Sequence, residues 1–230
     1  MKRFYREAAV EQVEGGWRVA LDGRAVKTAQ GAPQIVPTCA LAEALAAEWA
    51  NQGETIDPAA FVMRDMADYA IDMVRADRDD AVARLLAFAE TDTLCYRADP
   101  DEPLYRRQRD LWEPLVTAME AREGIRVERV SGVIHRKQPP ESLAKLRERL
   151  ESLDAFTLAA LQTMASLTAS LCVALAALDH GADPAALWAT ANLEEEWQAE
   201  LWGRDAEAEA RSEARGQEFA RALEFARLAR

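Results

Sequence analysis

Three consecutive glutamates, Glu194, Glu195 and Glu196, followed by Trp197 and Gln198 and then by Trp202, are the densest chemistry-bearing segment of the chain. On a helix, neighbouring residues are turned about 100° from one another, so the three carboxylates cannot all face one metal ion. Acid–base catalysis needs two carboxyls that converge on one cleft in environments that split their pKa values, and the sequence shows no partner for these. Three readings stay open: a solvated helix face, an acidic contact for a basic partner surface, and a carboxylate-based enzyme acting on a small cationic substrate. Charge reversal separates them, because a partner contact would lose binding while the fold stays intact. Trp188, Trp197 and Trp202 lie in the same region, interleaved with acids, where a tryptophan is either core or an exposed binding anchor.

Other chemistries find less support. The only histidines are His135 and His180, and Cys39, Cys95 and Cys172 are widely spaced with no CxxC pair. A zinc or di-iron centre would therefore need almost wholly carboxylate ligands, and no metal is expected. The cysteines read as small buried hydrophobes in a reducing compartment. Neither GxxxxGK[ST] nor GxGxxG occurs, and Gly15-Gly16 runs into Trp17 in a hairpin context rather than into a phosphate-cradling helix start. A GxSxG elbow is missing, as is a recognisable Cys–His pair. No catalytic residue and no cofactor is expected.

The elements that must position the acidic segment follow from composition and periodicity. The chain has 230 residues, with 28 Lys+Arg against 40 Asp+Glu, a net charge of −12, and 50% hydrophobic residues, enough to bury a sizeable core. The pI near 4.8 sets the averaged field against phosphate backbones and anionic lipid, so no nucleic-acid partner is expected. Residues 155–178 carry no charge and are long enough to span a bilayer. Their content of Ala, Ser, Thr and Gln, without basic flanks, instead suits a central helix surrounded by other helices, with no stable membrane insertion. The N-terminus has no apolar run of secretory length, and its glutamate argues against a transit peptide.

Phe4 to Val10 and Trp17 to Leu21 flank Glu14-Gly15-Gly16, a hairpin signal. Asp22-Gly23 makes a second turn before Ala25 to Thr28, and Gln34 to Val36 is a further short strand. Thr38 caps a helix bearing Leu41, Leu45, Glu48 and Trp49. Asp57-Pro58 opens another, whose stripe is Val62, Met66, Tyr69, Ala70 and Met73. Asp80 to Ala89 is a third. Thr93 to Tyr96 reads as a strand or extended crossing. Leu104 to Leu111 and Trp112 to Arg122 read as helices separated by a break or kink beside Pro114. Ile125 to Val130 alternates as a strand does, and Pro139-Pro140 opens an exposed helix. An apolar helix from about Ser152 to Leu178, one from Pro184 to Trp202, and a last one from Asp205 complete the chain. Fold class is α+β: a small antiparallel β-rich N-terminal domain with covering helices at 1–123, then a mainly helical domain at 124–230.

Arg3-Phe4-Tyr5, Leu21-Asp22-Gly23-Arg24 with Val26-Lys27-Thr28, Leu41-Ala42 through Glu48-Trp49, Thr91-Asp92 with Leu94-Cys95-Tyr96-Arg97, and Trp202-Gly203 after Gln198 form an ordered set spanning the chain. The set resembles the ATP synthase assembly chaperones that bind the alpha subunit of the F-one sector. That resemblance implies a non-enzymatic, ATP-independent chaperone that holds the unassembled alpha subunit until the beta subunit replaces it. It also implies a functional glutamate in the helix before the Trp-Gly motif, with Glu195 the first choice and Glu196 the second, among partner-binding candidates Glu194, Glu195, Glu196, Trp197 and Trp202. Family members are mitochondrial, with bacterial relatives, and this chain is expected in a bacterial cytoplasm as a monomer. Besides the enzyme, the alternative is a general acidic interaction scaffold with several clients.

Overall fold

The computed structural model describes residues 1–132 and 134–230. The contacts divide the chain into two units: residues 1–81, 154–160 and 224–230 form one, and residues 82–153 with 161–223 form the other.

In the first unit, β1 (Ala8–Val13), β2 (Gly16–Leu21) and β3 (Arg24–Ala25) make an antiparallel sheet in the order β1-β2-β3. The register pairs Val13 with Gly16 and Ala8 with Leu21. Gly16 has φ 145°, and a Cβ there would overlap the carbonyl oxygen of Val36. That close approach lets Trp17 and Val36 exchange backbone bonds of 2.9 and 2.8 Å. The hairpin therefore falls where its glycines place it, but Phe4 to Glu7 are not strand, and Gln34 to Val36 join the sheet only through an isolated bridge at Val36. A run of alternating residues fixes a strand's existence better than its ends.

The sheet is covered by α1 (Cys39–Ala50), whose cap Thr38 accepts from the Leu41 N–H at 3.1 Å. Leu41, Leu45 and Trp49 are buried; Trp49 meets Tyr5 edge-on at 5.5 Å and Phe61 at 4.4 Å. The sequence places the next helix start at Asp57-Pro58, but only a 3₁₀ turn forms there, over Pro58–Ala60. α2 (Val62–Tyr69) begins later, where the Glu48 carboxylate accepts from the N–H groups of Met63 and Arg64 at 2.8 and 2.9 Å. A cap supplied by another helix has no local sequence signature. A π turn at Ala70–Val74 follows, and the buried stripe is Met63, Met66, Ala67, Ala70 and Val74, with Met73 46% exposed. The buried face is rotated from the expected stripe: Met63, Ala67 and Val74 are buried where the sequence predicts Val62, Tyr69 and Met73, and Val62 and Tyr69 are only half-buried. Phe156 packs on Phe225 at 6.2 Å in the same unit.

In the second unit, α3 (Arg78–Glu90, from Val82 onward) leads to a 3₁₀ turn at Thr93–Cys95 and then to β4 (Tyr96–Arg97). β4 pairs in parallel with β5 (Val130–Ser131). The Thr93 to Tyr96 crossing is thus strand only at its end. Likewise Ile125 and Val127 are buried and Arg126 and Glu128 exposed, as alternation predicts, yet ladder pairing begins at Val130.

α4 (Pro103–Glu123) is continuous through Pro114, so of the expected break or kink the break is absent. Gln108 and Trp112 before the proline, and Val116 and Met119 after it, are all buried, and burial of both halves outweighs one missing backbone bond. Gly124, at φ 63°, ends the helix. α5 (Pro140–Glu151) begins as predicted.

The charge-free run is two helices, α6 (Ala155–Thr168) and α7 (Leu171–Ala177), instead of one. Ala169 takes a left-handed φ of 48°, and Ser170 recaps the chain by accepting from the Val173 N–H at 3.0 Å. The buried Asp92 carboxylate accepts from the Ser170 hydroxyl at 2.7 Å and from the Cys172 N–H at 2.8 Å. A distant acid holds this break, and nothing near position 169 announces it. Among the described residues no helix is long and apolar enough to cross a membrane. The expected helix from Pro184 to Trp202 is also two, α8 (Pro184–Ala191) and α9 (Leu193–Trp202), broken at Asn192. α10 (Ala206–Leu228) follows, with Asp205 accepting from the Glu207 N–H at 3.0 Å.

Together these elements are the expected α+β class: a small antiparallel sheet at the N-terminus, then helices.

Candidate functional site

α9 carries the acidic segment, and α4 sets its orientation. The Arg107 guanidinium grips Glu200 with both nitrogens, Nη1 to Oε1 at 2.9 Å and Nη2 to Oε2 at 2.8 Å, and lies over the Trp197 ring at 4.5 Å. One fork thus fixes an acid and an aromatic ring less than one turn apart. Beside it, the buried Gln108 accepts from the Ala98 N–H at 2.8 Å and donates to Glu194 Oε1 at 2.6 Å. Leu193 is buried beneath. Beyond the end of the helix, Arg204 pairs with Glu196 and, at 2.9 Å, with Glu209.

The predicted site residues are therefore not equivalent. Burial raises the Glu194 pKa, which the Gln108 bond partly offsets; that acid is an internal anchor. Trp197 is half-buried under Arg107, and Glu196 is tied to Arg204. Glu195 and Trp202 are exposed, Trp202 by 78%. At about 100° per residue, seven steps bring position 202 to within about 20° of position 195, roughly 10 Å along the axis. Among the described residues Glu195 is the acid of α9 with no side-chain hydrogen bond or ion pair, and it shares the outward face of the helix with Trp202, with Leu201, 56% exposed, at its flank.

Sequence reading missed the residues that make this face rigid. Arg107, Gln108 and Glu200 carry no local signal, because nothing in their spacing links positions 107 and 108 to positions 194 and 200. The hydrogen bond to Arg107 holds the Glu200 carboxyl below its usual range. Trp188 belongs elsewhere: it is half-buried against Phe219 at 6.1 Å, with Arg215 at 5.7 Å.

The other polar clusters of the unit are structural. Arg129 bridges Glu113 at 2.8 Å and Glu120 at 2.5 Å, and Arg97 reaches Glu113 at 2.7 Å. Burial pushes both glutamates up, but the Arg129 hydrogen bonds outweigh it and hold their carboxyls below the usual range. Burial pushes the Cys95 thiol up to about 12 and the Cys172 thiol well above its ordinary value, so neither is a ready nucleophile. Cys39 is only half-buried, 3.5 Å from Glu43; its place on the first turn of α1 leaves it partly outside the core the sequence assigned it. Among the described residues no three His, Cys, Asp or Glu side chains gather as metal ligands.

Comparison with known proteins supplies the context for this face. Residues 2–120 match a family described as ATP12 chaperone protein. The chain is 27% identical over 214 residues to the mitochondrial protein atp12 of Schizosaccharomyces pombe, covering 88% of this chain and 74% of that protein. The crystal structure of Atp12 from Paracoccus denitrificans is similar with a TM-score of 0.92 at 38% identity, covering 100% of this chain and 98% of that one. The Atu1473 protein of Agrobacterium tumefaciens is similar with a TM-score of 0.94 at 37% identity, covering 100% of this chain and 86% of that one.

Proposed function

Since the chain belongs to the ATP12 chaperone family, we propose that it is an ATP-independent assembly chaperone of the ATP synthase catalytic sector, holding the unassembled alpha subunit until the beta subunit takes its place. The observation that carries the reading is the pairing of Glu195 with Trp202 on the outward face of α9, backed by the Arg107 fork. An orphan subunit exposes apolar interface that aggregates unless covered. A tryptophan with a neighbouring acid on a rigid helix provides an anchor for affinity and a charge for steering, while a face this small leaves the client displaceable by a larger interface. Release then needs no nucleotide. Glu195 is the principal contact, with Trp202 beside it; Glu196 contributes at the rim, and Glu194 and Trp197 act by holding the helix. The protein works as a monomer in a reducing bacterial cytoplasm, where Cys39, Cys95 and Cys172 stay free thiols. It acts by binding, with no substrate turned over.

The test is capture of isolated alpha subunit by the purified protein, with and without ATP, and deletion of the gene in its host. The reading predicts capture without nucleotide, release on adding beta subunit, and loss of assembled catalytic sector on deletion. Unchanged alpha-subunit solubility and assembly after deletion would overturn it, and equal capture of unrelated proteins would turn it into a general scaffold.

A further inference from the structure

A cavity of about 360 Å³ opens in the first unit beside β3, within the usual ligand-pocket range of about 300–1,000 Å³. Leu21, Val26 and Trp49 give it apolar walls, and Phe4, 62% exposed, stands at it. Two of its lining residues keep buried N–H donors without a hydrogen-bond partner: Trp49 at Nε1, and Arg64 at Nε, which lies 3.8 Å from an Asp68 oxygen. Such donors are costly to leave unsatisfied. The charges around it run against those of the whole molecule. Arg24, Lys27 and Arg64 line it with the carboxylate of Asp68; Arg64 is paired with Asp65 at 2.9 Å, which leaves Arg24 and Lys27 as the basic rim, in a chain whose net charge is −12. Asp68 is itself occupied, accepting from the Ala29 N–H at 3.0 Å and from Gln34 Nε2 at 2.5 Å. Arg24 and Lys27 are exposed.

Strand β3, Arg24 and Ala25, is the edge of its sheet, while Lys27 just beyond it is bridged to Pro33. An edge strand offers backbone groups to an extended chain, and a pocket beside it selects a side chain. We propose that this cavity binds an acidic polypeptide segment in extended form, burying one bulky apolar side chain and presenting flanking carboxylates to Arg24 and Lys27. The site lies apart in sequence from α9 and goes beyond the alpha-subunit reading, since its ligand is defined by its own chemistry.

The test follows the indole N–H resonances of the full-length protein by NMR, with Trp49 assigned through Trp49→Phe. The probe is acetyl-Glu-Phe-Glu-amide, with acetyl-Gln-Phe-Gln-amide, acetyl-Glu-Ala-Glu-amide and phenylacetate as comparisons. We expect a saturable shift of the Trp49 resonance with the first peptide, at least fivefold weaker binding of the Gln peptide, and at least tenfold weaker binding of the Ala peptide and of phenylacetate. The double variant Arg24→Glu, Lys27→Glu, on exposed positions, should weaken the first peptide at least tenfold with the rest of the spectrum kept. No Trp49 shift, equal binding of the Gln peptide, phenylacetate binding as tightly as the peptide, or indifference to the double variant would each overturn the proposal. Glu195→Lys should leave this titration unchanged, so failure here and failure of alpha-subunit capture are distinguishable.

Discussion

Trp112 gives its indole N–H to the Thr190 carbonyl oxygen at 2.7 Å, and that bond explains how the chain tolerates a break at Asn192. The last carbonyls of a helix have no partner within it. Here one is satisfied from α4, while the Asn192 side chain and backbone both donate to Trp188 O, at 2.8 and 3.0 Å. Because α8 ends there, α9 can take its own direction and lay Trp197 and Glu200 on Arg107. Replacing Trp112 by Phe keeps most of the apolar volume and removes the donor, which should cost about 1–2 kcal/mol; Trp112→Ala should cost about 3–5 kcal/mol. Chemical denaturation checks both, and a neutral Trp112→Phe would remove the bond from the account of the break.

Glu195→Lys and Trp202→Ala act on an exposed face, so each should change stability by no more than about 0.5 kcal/mol. Capture of the alpha subunit should fall at least tenfold for either, about 1.4 kcal/mol. Added salt should lower the association rate of the parent protein and have less effect on Glu195→Lys. Capture kinetics at two ionic strengths, read beside melting curves, separate lost contact from lost fold.

Arg129→Met should destabilise by about 3 kcal/mol, because it leaves Glu120, 6% exposed, with the more distant Arg126 at 3.9 Å in place of its hydrogen-bonded cation. The sign with pH follows from the lowered carboxyl pKa values of Glu113 and Glu120. Their pairing stabilises the fold above the ordinary glutamate pKa, and that stability is lost as pH falls through the folded values. Urea titrations at neutral and acid pH should therefore show the variant's deficit shrinking as the medium is acidified.

Asp92 has the opposite sign. Burial raises its pKa to about 6, against the pull of its donors at Cys172, Ser170 and Leu94, whereas the unfolded chain has it near ~3.9. The folded state holds the extra proton between those values, so this group's contribution is largest at low pH and declines as pH rises from about 4 to about 6, by roughly 2–3 kcal/mol. Subtracting the unfolding profile of Asp92→Asn from that of the parent should reveal the slope; a flat difference across this window would refute it.

Gly16→Ala should be among the most damaging single changes in the first unit, at about 2–3 kcal/mol. The new methyl meets the backbone oxygen of Val36, which cannot rotate away, at a φ of 145° that L residues rarely adopt. Gly15→Ala, with φ 86° but open space around it, should cost less. Thermal melts of the two variants rank the backbone strain and the clash separately.

What the sequence determined by itself is local. The Glu14–Gly16 hairpin, the Thr38 cap, and the Pro139-Pro140 and Asp205 starts are each written in a few adjacent residues, because turn and cap preferences act over one turn of chain. The acidic segment was legible too, as was its likeness to a chaperone family. Only the tertiary structure decided which of those acids is offered outward. Glu194 goes to Gln108, Glu196 to Arg204 and Glu200 to Arg107, leaving Glu195 on the face with Trp202. The same holds for the breaks at Ala169 and Asn192, the late start of α2 and the unbroken run through Pro114. In each, the group that decides the outcome, whether Asp92, Trp112, Glu48 or the packing on both sides of a proline, lies far along the chain or in the packed core, beyond the reach of any pattern in neighbouring residues.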